Sequence, residues 1–289
     1  MLSILIPVYN RDIRELVVSL NKQAKELCVP YEIICIDDCS TRYREGNREV
    51  NKIDNCLLTE LDENAGRAKI RNVLTEKAKH PYLLFLDCDM LPVRSDFIST
   101  YWANRDNDVV CGGILYRKSD CRKNTKLHYH YGVRREIYNF EKKKEYSFLS
   151  GNFFIKKEVL EAVSFNDHIA GYGHEDTYFG LMLKKRGYKL RFIDNPAYHT
   201  GLNENEVFLA NTRSAINNLF HEDKDLEKEL QKNVRLSAFG LKHPVLLRIA
   251  GKGYALNRIW IEKILPVMPS VYLLDFYKLS YFGYLYGSK

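Results

Sequence analysis

The chain has 289 residues, 45% hydrophobic and 28% charged, with 44 Lys/Arg against 37 Asp/Glu for a formal charge of +7. This composition excludes a disordered chain, and the length favours one α/β domain with an extension over two equal domains. Ten Lys/Arg and four Asp/Glu fall between Arg117 and Glu145, nearly the whole positive excess. So local a basic segment suits a pyrophosphate, an anionic acceptor or a membrane surface, or is a solvated surface run; no aromatic-interleaved basic stripe indicates nucleic acid.

Up to residue 205, apolar strands alternate with amphipathic helices. "LSILIPVY" is a β-branched run, and "RDIRELVVSLNKQAKEL" sets Ile13, Leu16, Val17, Leu20, Ala24 and Leu27 on one helical face. "YEIICIDD" repeats the buried-strand pattern, "CLLTELDEN" is a weaker strand, "AGRAKIRNVLTEKAKH" reads as helix and "YLLFLDCD" as strand. Ser95 is the expected N-cap of a helical "DFISTYWANR", and "DVVCGGILY" is a further strand. "SFLSGNFFIKKEVLEAV" reads as strand into helix, and "AGYGHEDTYFGLMLKKRG" as a glycine-rich turn into a helix stopped by Gly187. "YKLRFID" is the last strand, before "NPAYHTG". Strands that are apolar throughout, alternating with helices, predict an α/β fold whose mostly parallel sheet is flanked by helices on both faces. The expected division is a sheet domain over 1–205 and a helical, aromatic-rich extension over 206–289.

Within that extension, "VYLLDFYKLSYFGYLYGSK" is rich in aromatics, yet no apolar run reaches the roughly 18 residues of a membrane span. The segment either packs on the core or makes a peripheral membrane contact through 242–289, with Arg248, Lys252, Arg258 and Lys263 meeting anionic lipid. Seven cysteines, at 28, 35, 39, 56, 88, 111 and 121, form no CxxC pair, and "MLSILIPVYNRD" carries no basic leader. Both features predict a cytoplasmic setting, or the inner face of a membrane.

In open parallel sheets, ligands bind beyond the carboxyl ends of the strands. "PVYN" (Pro7 to Asn10), Asp37 and Asp38, and the pair Asp87 and Asp89 all follow apolar strands. Any one of these acids alone is read as a cap or turn former. On an extended chain, residues i and i+2 point the same way at roughly 7 Å, so Asp87 and Asp89 are expected to address one cation together; a hard ion completed by phosphate oxygens is the Mg2+ or Mn2+ pattern. Gly66 precedes a basic helix with Arg67 and Arg71 one turn apart, a weak phosphate signal. Glu175 and Asp176 start a helix after two glycines, where one can take a proton and the other orient an acceptor, or both serve only the helix dipole. His199 could complete a metal shell, though a lone histidine is more often structural; the "HYH" at 128–130 is read as structural.

"PVYN", "DDCS", "ENAGRAKIRN", "DCD", "SGNFFIKK" and "GHED", in that order, make the chain resemble the family 2 glycosyltransferases of GT-A fold, over about residues 1–205. The resemblance implies an inverting hexosyl- or N-acetylhexosaminyltransferase of polysaccharide biosynthesis, with a nucleotide-sugar donor for which Tyr9 and Asp38 favour UDP, and a glycan or lipid-linked saccharide acceptor. It implies that Pro7, Tyr9, Asn10, Asp38, Asn64, Gly66, Arg71 and Asp87 hold the donor. Asp89, Asp87 and His199 would hold Mn2+ or Mg2+; Asp176 would be the base, and Glu175, Tyr172, Gly173 and Asn152 would meet the acceptor. A DxD phosphatase and a non-catalytic sugar-nucleotide or glycan-binding protein are the alternatives. The phosphatase leaves "PVYN", "DDCS" and "GHED" unexplained.

Overall fold

The computed structural model describes residues 1–137, 147–169 and 171–288. Strand β1 (Leu2–Val8) leads to α1 (Arg14–Glu26), β2 (Tyr31–Asp37), the short α2 (Arg44–Asn47), β3 (Cys56–Glu60), α3 (Arg67–Lys77) and β4 (Tyr82–Leu86). Next come β5 (Met90–Pro92), α4 (Phe97–Ala103), β6 (Val109–Cys111), β7 (Ile114–Leu115), α5 (Lys126–Arg135), β8 (Asn152–Lys156) and α6 (Lys157–Ala162). They are followed by α7 (Glu175–Lys185), β9 (Leu190–Phe192) and β10 (Ala197–His199), then α8 (Asn205–Asn217), α9 (Lys224–Asn233), α10 (Arg235–Lys242), α11 (Pro244–Ile264) and α12 (Val271–Gly287).

Two compact units emerge. The first holds Met1–Leu115, the described residues of 137–170, and Glu175–Gly201. The second holds Tyr116–Glu136, Gly171–His174 and the described residues from Leu202 onward. The first part of the basic segment thus belongs with the C-terminal helices, while Glu141, Lys142, Lys143, Lys144 and Glu145 lie outside the described residues.

In the first unit, the described residues form a seven-stranded sheet in the order β3-β2-β1-β4-β8-β6-β9 and a three-stranded sheet β5-β10-β7. The strands of the large sheet run parallel except β8, which is antiparallel to both β4 and β6. β1 is an interior strand, between β2 and β4, although it contains a proline. Leu2 N donates to Pro30 O on the β2 side, so by alternation the positions facing β4 are 3, 5 and 7. The β4 ladder ends at Leu5↔Phe85, before Pro7 would have to supply the N–H it lacks.

One face of the sheet packs Leu5, Ile34, Phe85, Phe153 and Ile155 against Ile70 and Leu74 of α3 and Phe179 and Leu183 of α7. On the other side Tyr101 of α4 stacks on Phe154, centroids 5.9 Å apart. Each such fully buried side chain contributes about 1.5–3 kcal/mol, so covering both faces is what makes the strand sequences continuously apolar. "DVVCGGILY", expected as one strand, splits at Gly112–Gly113, with β6 in the large sheet and β7 in the small one. Ser95 does not cap α4: the N-cap position is Asp96, whose carboxylate pairs with Arg94 at 2.8 Å.

The second unit has its own core of Leu127, Phe208, Leu209, Tyr254, Ile261, Leu265, Leu274 and Tyr277. Helices α11 and α12 approach closely where Gly251 faces Gly283: a Cβ on Gly251 would lie 2.5 Å from the Gly283 carbonyl carbon. The "HYH" stretch lies in α5, where buried His128 accepts at Nδ1 from Asn203 N and stacks on Phe208.

Candidate active site

The loops after β1 and β2 are knotted by polar side chains. Asn10, at φ 52°, donates its backbone N–H to Ser40 Oγ at 2.8 Å, and its Oδ1 accepts from Thr41 N at 2.9 Å and Arg42 N at 3.1 Å. Asp37 Oδ1 accepts from Ser40 N at 2.7 Å. Asp38 accepts from Ala65 N at 2.6 Å and Gly66 N at 3.1 Å, and Asn64 Nδ2 donates to the Asp38 carbonyl at 3.0 Å. Gly66, at φ 84°, turns the chain into α3 in a conformation that side chains resist. Burial raises the Asp38 carboxyl above its usual value, the two N–H donors oppose that, and Asp37 adds to it. Asn10, Asp38 and Asn64 are therefore engaged in shaping the rim of this strand edge, whereas Tyr9 at the end of β1 is half exposed, its ring open to stacking.

Asp87 and Asp89 do not lie on an extended chain. Met90 N donates to Asp87 O at 2.9 Å, a turn that separates the two carboxylates and sends them to different partners. Arg71 Nη2 donates to Asp87 Oδ1 at 2.6 Å, while Asp89 Oδ2 lies 3.3 Å from His199 Nε2. Arg71 is buried, its guanidinium over the Phe165 ring at 5.6 Å and its Nε without a hydrogen-bond partner. Burial alone would raise the Asp89 carboxyl, but the charge and hydrogen bond of His199, helped by Arg11 and Arg67, hold it well below the usual carboxylate range. Thr200 reinforces the contact, donating through both N and Oγ1 to Asp89 O at 2.8 Å.

Among the described residues no three His, Cys, Asp or Glu side chains are grouped to hold a metal. The facing carboxylate and imidazole of Asp89 and His199 are nonetheless donors that fit a hard divalent ion whose remaining shell comes from phosphate oxygens and water. Asp87, tied to Arg71, is not gathered with them.

Glu175 and Asp176 open α7 and diverge as adjacent helical residues must. Glu175 is buried and receives Arg67 Nη1 at 3.3 Å; Asp176 is only partly buried, its Oδ1 accepting from Thr177 N at 2.6 Å. Desolvation first, and the Glu175 charge second, push the Asp176 carboxyl up to about 7, against the pull of Thr177 N–H, Arg67 and Arg71. The sequence shows the spacing of Arg67 to Arg71 but not the partner of Arg67, which lies 108 positions away.

Asn152 has a different job from the acceptor contact expected. It is buried, accepts from Tyr101 Oη at 2.6 Å, and donates from Nδ2 to Gly113 O at 2.9 Å and Asn195 O at 3.1 Å. With oxygen and amide nitrogen both engaged inside the protein, it ties β8 to neighbouring segments and presents no group to a sugar. Tyr172 and Gly173 belong to the second unit, where Asn218 Nδ2 donates to their carbonyls at 3.3 and 3.0 Å.

A mostly parallel sheet flanked by helices, with polar loops at the carboxyl ends of its strands, is the GT-A architecture of glycosyltransferases. The family model for "Glycosyl transferase family 2" matches residues 3–164, over half of the chain, and the chain belongs to that family. Membership removes the phosphatase alternative. A Bacillus subtilis (strain 168) relative, provisionally assigned as the teichuronic acid biosynthesis glycosyltransferase TuaG, is 38% identical over 96 residues, 31% of this chain and 36% of the relative. S. aureus TarS 1-349 in complex with UDP-GlcNAc superposes with a TM-score of 0.51 at 19% identity, over 99% of this chain and 92% of that one. A longer TarS structure is covered over only 42% of its length. The mannosyltransferase PcManGT from Pyrobaculum calidifontis, in complex with GDP-Man and Mn2+, gives a TM-score of 0.56 at 16% identity, over 100% of this chain and 88% of that one. At such identities the structural likenesses speak for the fold.

Proposed function

We propose that this family 2 glycosyltransferase moves a sugar, with inversion, from a nucleoside-diphosphate donor to a hydroxyl of a glycan or lipid-linked saccharide, with UDP the preferred donor nucleotide. The observation that carries the reading is the Arg67–Glu175 contact at 3.3 Å, because it joins the start of α7, and so Asp176, to the helix whose Arg71 holds Asp87. Donor-side and acceptor-side groups thereby share one frame.

In this reading Tyr9 stacks on the base, and Asn10, Asp38, Asn64 and Gly66 hold the loops around it. Asp176 takes the proton from the acceptor hydroxyl, the freed oxygen forms a bond to the anomeric carbon, and the bond from that carbon to the diphosphate oxygen breaks. Its elevated carboxyl is matched to that task, since a base acts best with its pKa near the working pH. Arg67 and Arg71 meet the negative charge of the departing nucleotide, and Glu175, fixed by Arg67, orients the acceptor. Asp89 and His199 would hold Mn2+ or Mg2+, which when bound supplies charge neutralisation at the diphosphate. The segment 242–289 brings the chain to a membrane surface.

The test combines thermal unfolding with UDP, GDP and Mn2+ and a screen of nucleotide sugars for hydrolysis. UDP with Mn2+ is expected to raise Tm, and Asp89→Ala to remove the effect. Asp176→Asn is expected to keep the stabilisation and lose turnover. Indifference to nucleotide and metal, or full turnover in Asp176→Asn, overturns the reading.

A further inference from the structure

Helix α11 buries one side, through Leu247, Ala250, Gly251, Tyr254 and Ile261, and leaves the other uncovered. Val245, Ile249, Leu256, Ile259 and Trp260 are between 61% and 79% exposed. Their spacing, together with Lys252 and Lys263, follows the three-and-four rhythm of a single helical stripe, opposite the buried side. Arg248 runs beside it, and the only acid of the helix, Glu262, turns away to Arg213 Nη1 at 2.6 Å and Tyr277 Oη at 2.6 Å. Val267 and Met268, just past the helix, extend the apolar surface and are each 69% exposed. A soluble surface rarely carries so continuous a row of large apolar side chains without a partner.

The structure assigns this stripe to the interface of an anionic lipid bilayer, with α11 lying in the membrane plane. This deepens the proposed membrane contact of 242–289 by naming its face and lipid class, and it stands independently of the transfer chemistry. The charge pattern selects the occupant. Lysine is depleted from the cores of protein interfaces, yet here Lys252 and Lys263 sit within the apolar row. At a bilayer, lysine stems lie along acyl chains while their ammonium groups reach lipid phosphates, and tryptophan favours the headgroup depth that Trp260 would occupy. A helix of 21 residues extends about 30 Å, but no helix among the described residues is long and apolar enough to cross a membrane, so the apolar row must lie along the surface. Helix α12 offers no such uninterrupted row: Leu274, Tyr277, Leu279 and Phe282 are buried, between the exposed Tyr272, Phe276, Tyr284 and Tyr286.

The full chain should co-float with phosphatidylcholine vesicles containing phosphatidylglycerol, poorly with phosphatidylcholine alone, and less as salt is raised. Lys252→Glu with Lys263→Glu, a surface charge reversal that leaves the packing untouched, should lower partition by about tenfold or more. Leu256→Ser with Trp260→Ser should abolish it. The chain has two tryptophans, so a Trp102→Phe background isolates Trp260, whose emission should shift to the blue on anionic vesicles and be quenched by brominated lipid. UDP and Mn2+ stabilisation should be unchanged in the lysine and Leu256/Trp260 variants, which separates failure here from failure of the transferase reading. No flotation, equal flotation on neutral vesicles, or a chain self-associated in solution that Leu256→Ser with Trp260→Ser renders monomeric would overturn the assignment.

Discussion

Arg71 is the sole described partner holding the Asp87 carboxylate in place, through Nη2 at 2.6 Å, and it does so from a site almost closed to solvent. Removing it leaves a carboxylate behind with its counter-charge gone. Arg71→Met is expected to destabilise the chain by about 3 kcal/mol, read as a lower urea midpoint, and Asp87→Asn to cost less because the neutral amide can still accept from the guanidinium. A smaller effect for Arg71→Met than for Asp87→Asn would contradict the pairing.

Asp176 should govern the acid side of the pH–rate profile. Its carboxyl, raised to about 7 by desolvation and then by Glu175, is protonated below that value and cannot accept the hydroxyl proton, so kcat/KM is expected to rise through about pH 7 and level off above. Glu175→Gln deletes the second cause and should move the midpoint down. The stability consequence has the opposite sign: a carboxyl raised in the folded state above its ordinary 3.8 favours folding when protonated, and that contribution is lost as pH rises from about 3.8 to about 7. Asp176→Asn should flatten this part of the stability curve.

Asn152→Ala should be a folding variant. It leaves Asn195 O without its amide donor, and leaves the Tyr101 hydroxyl only a 3.4 Å contact to the backbone carbonyl of residue 152 and Gly113 O only Ala197 N at 3.3 Å; an unsatisfied buried group costs about 1–3 kcal/mol. The expected result is a lower Tm with nucleotide affinity unchanged in the fraction that folds; a normal Tm with lost acceptor binding would restore the sugar contact that the sequence suggested.

Gly251→Ala and Gly283→Ala each place a methyl against backbone of the opposite helix, at 2.5 Å and 2.4 Å. Since backbone cannot swing aside as a side chain can, each should cost about 1–3 kcal/mol by chemical denaturation. The double variant should cost less than their sum, because the first methyl already forces the helices apart.

Much of this was written plainly in the sequence. β1, β2 and β4 are buried on both faces, so their apolar runs could hardly be anything else, and α1 keeps its helical stripe. What spacing could not supply was the turn at Asp87–Met90, which redirects two carboxylates that alternation would have aligned. It also could not supply the Arg67–Glu175 contact, whose members meet only after α3 and α7 have packed on one face of the sheet. The amide of Asn152 sits within "SGNFFIKK", and only its surroundings reveal that it is enclosed. Periodicity likewise tells which residues of α11 share a face, but which face is covered depends on the packing of α12.

The sheet order carries a consequence for how the chain comes into being. β1 to β4 are neighbours in space and successive in sequence, all of them within the first 86 residues. A ribosome can release them as a block able to pair at once, with β8, β6 and β9 added later to one edge. On the roles proposed above, a nascent chain owns its nucleotide cradle well before Asp176 and His199 have been synthesised. A product cut short in between would seize donor and never release a sugar.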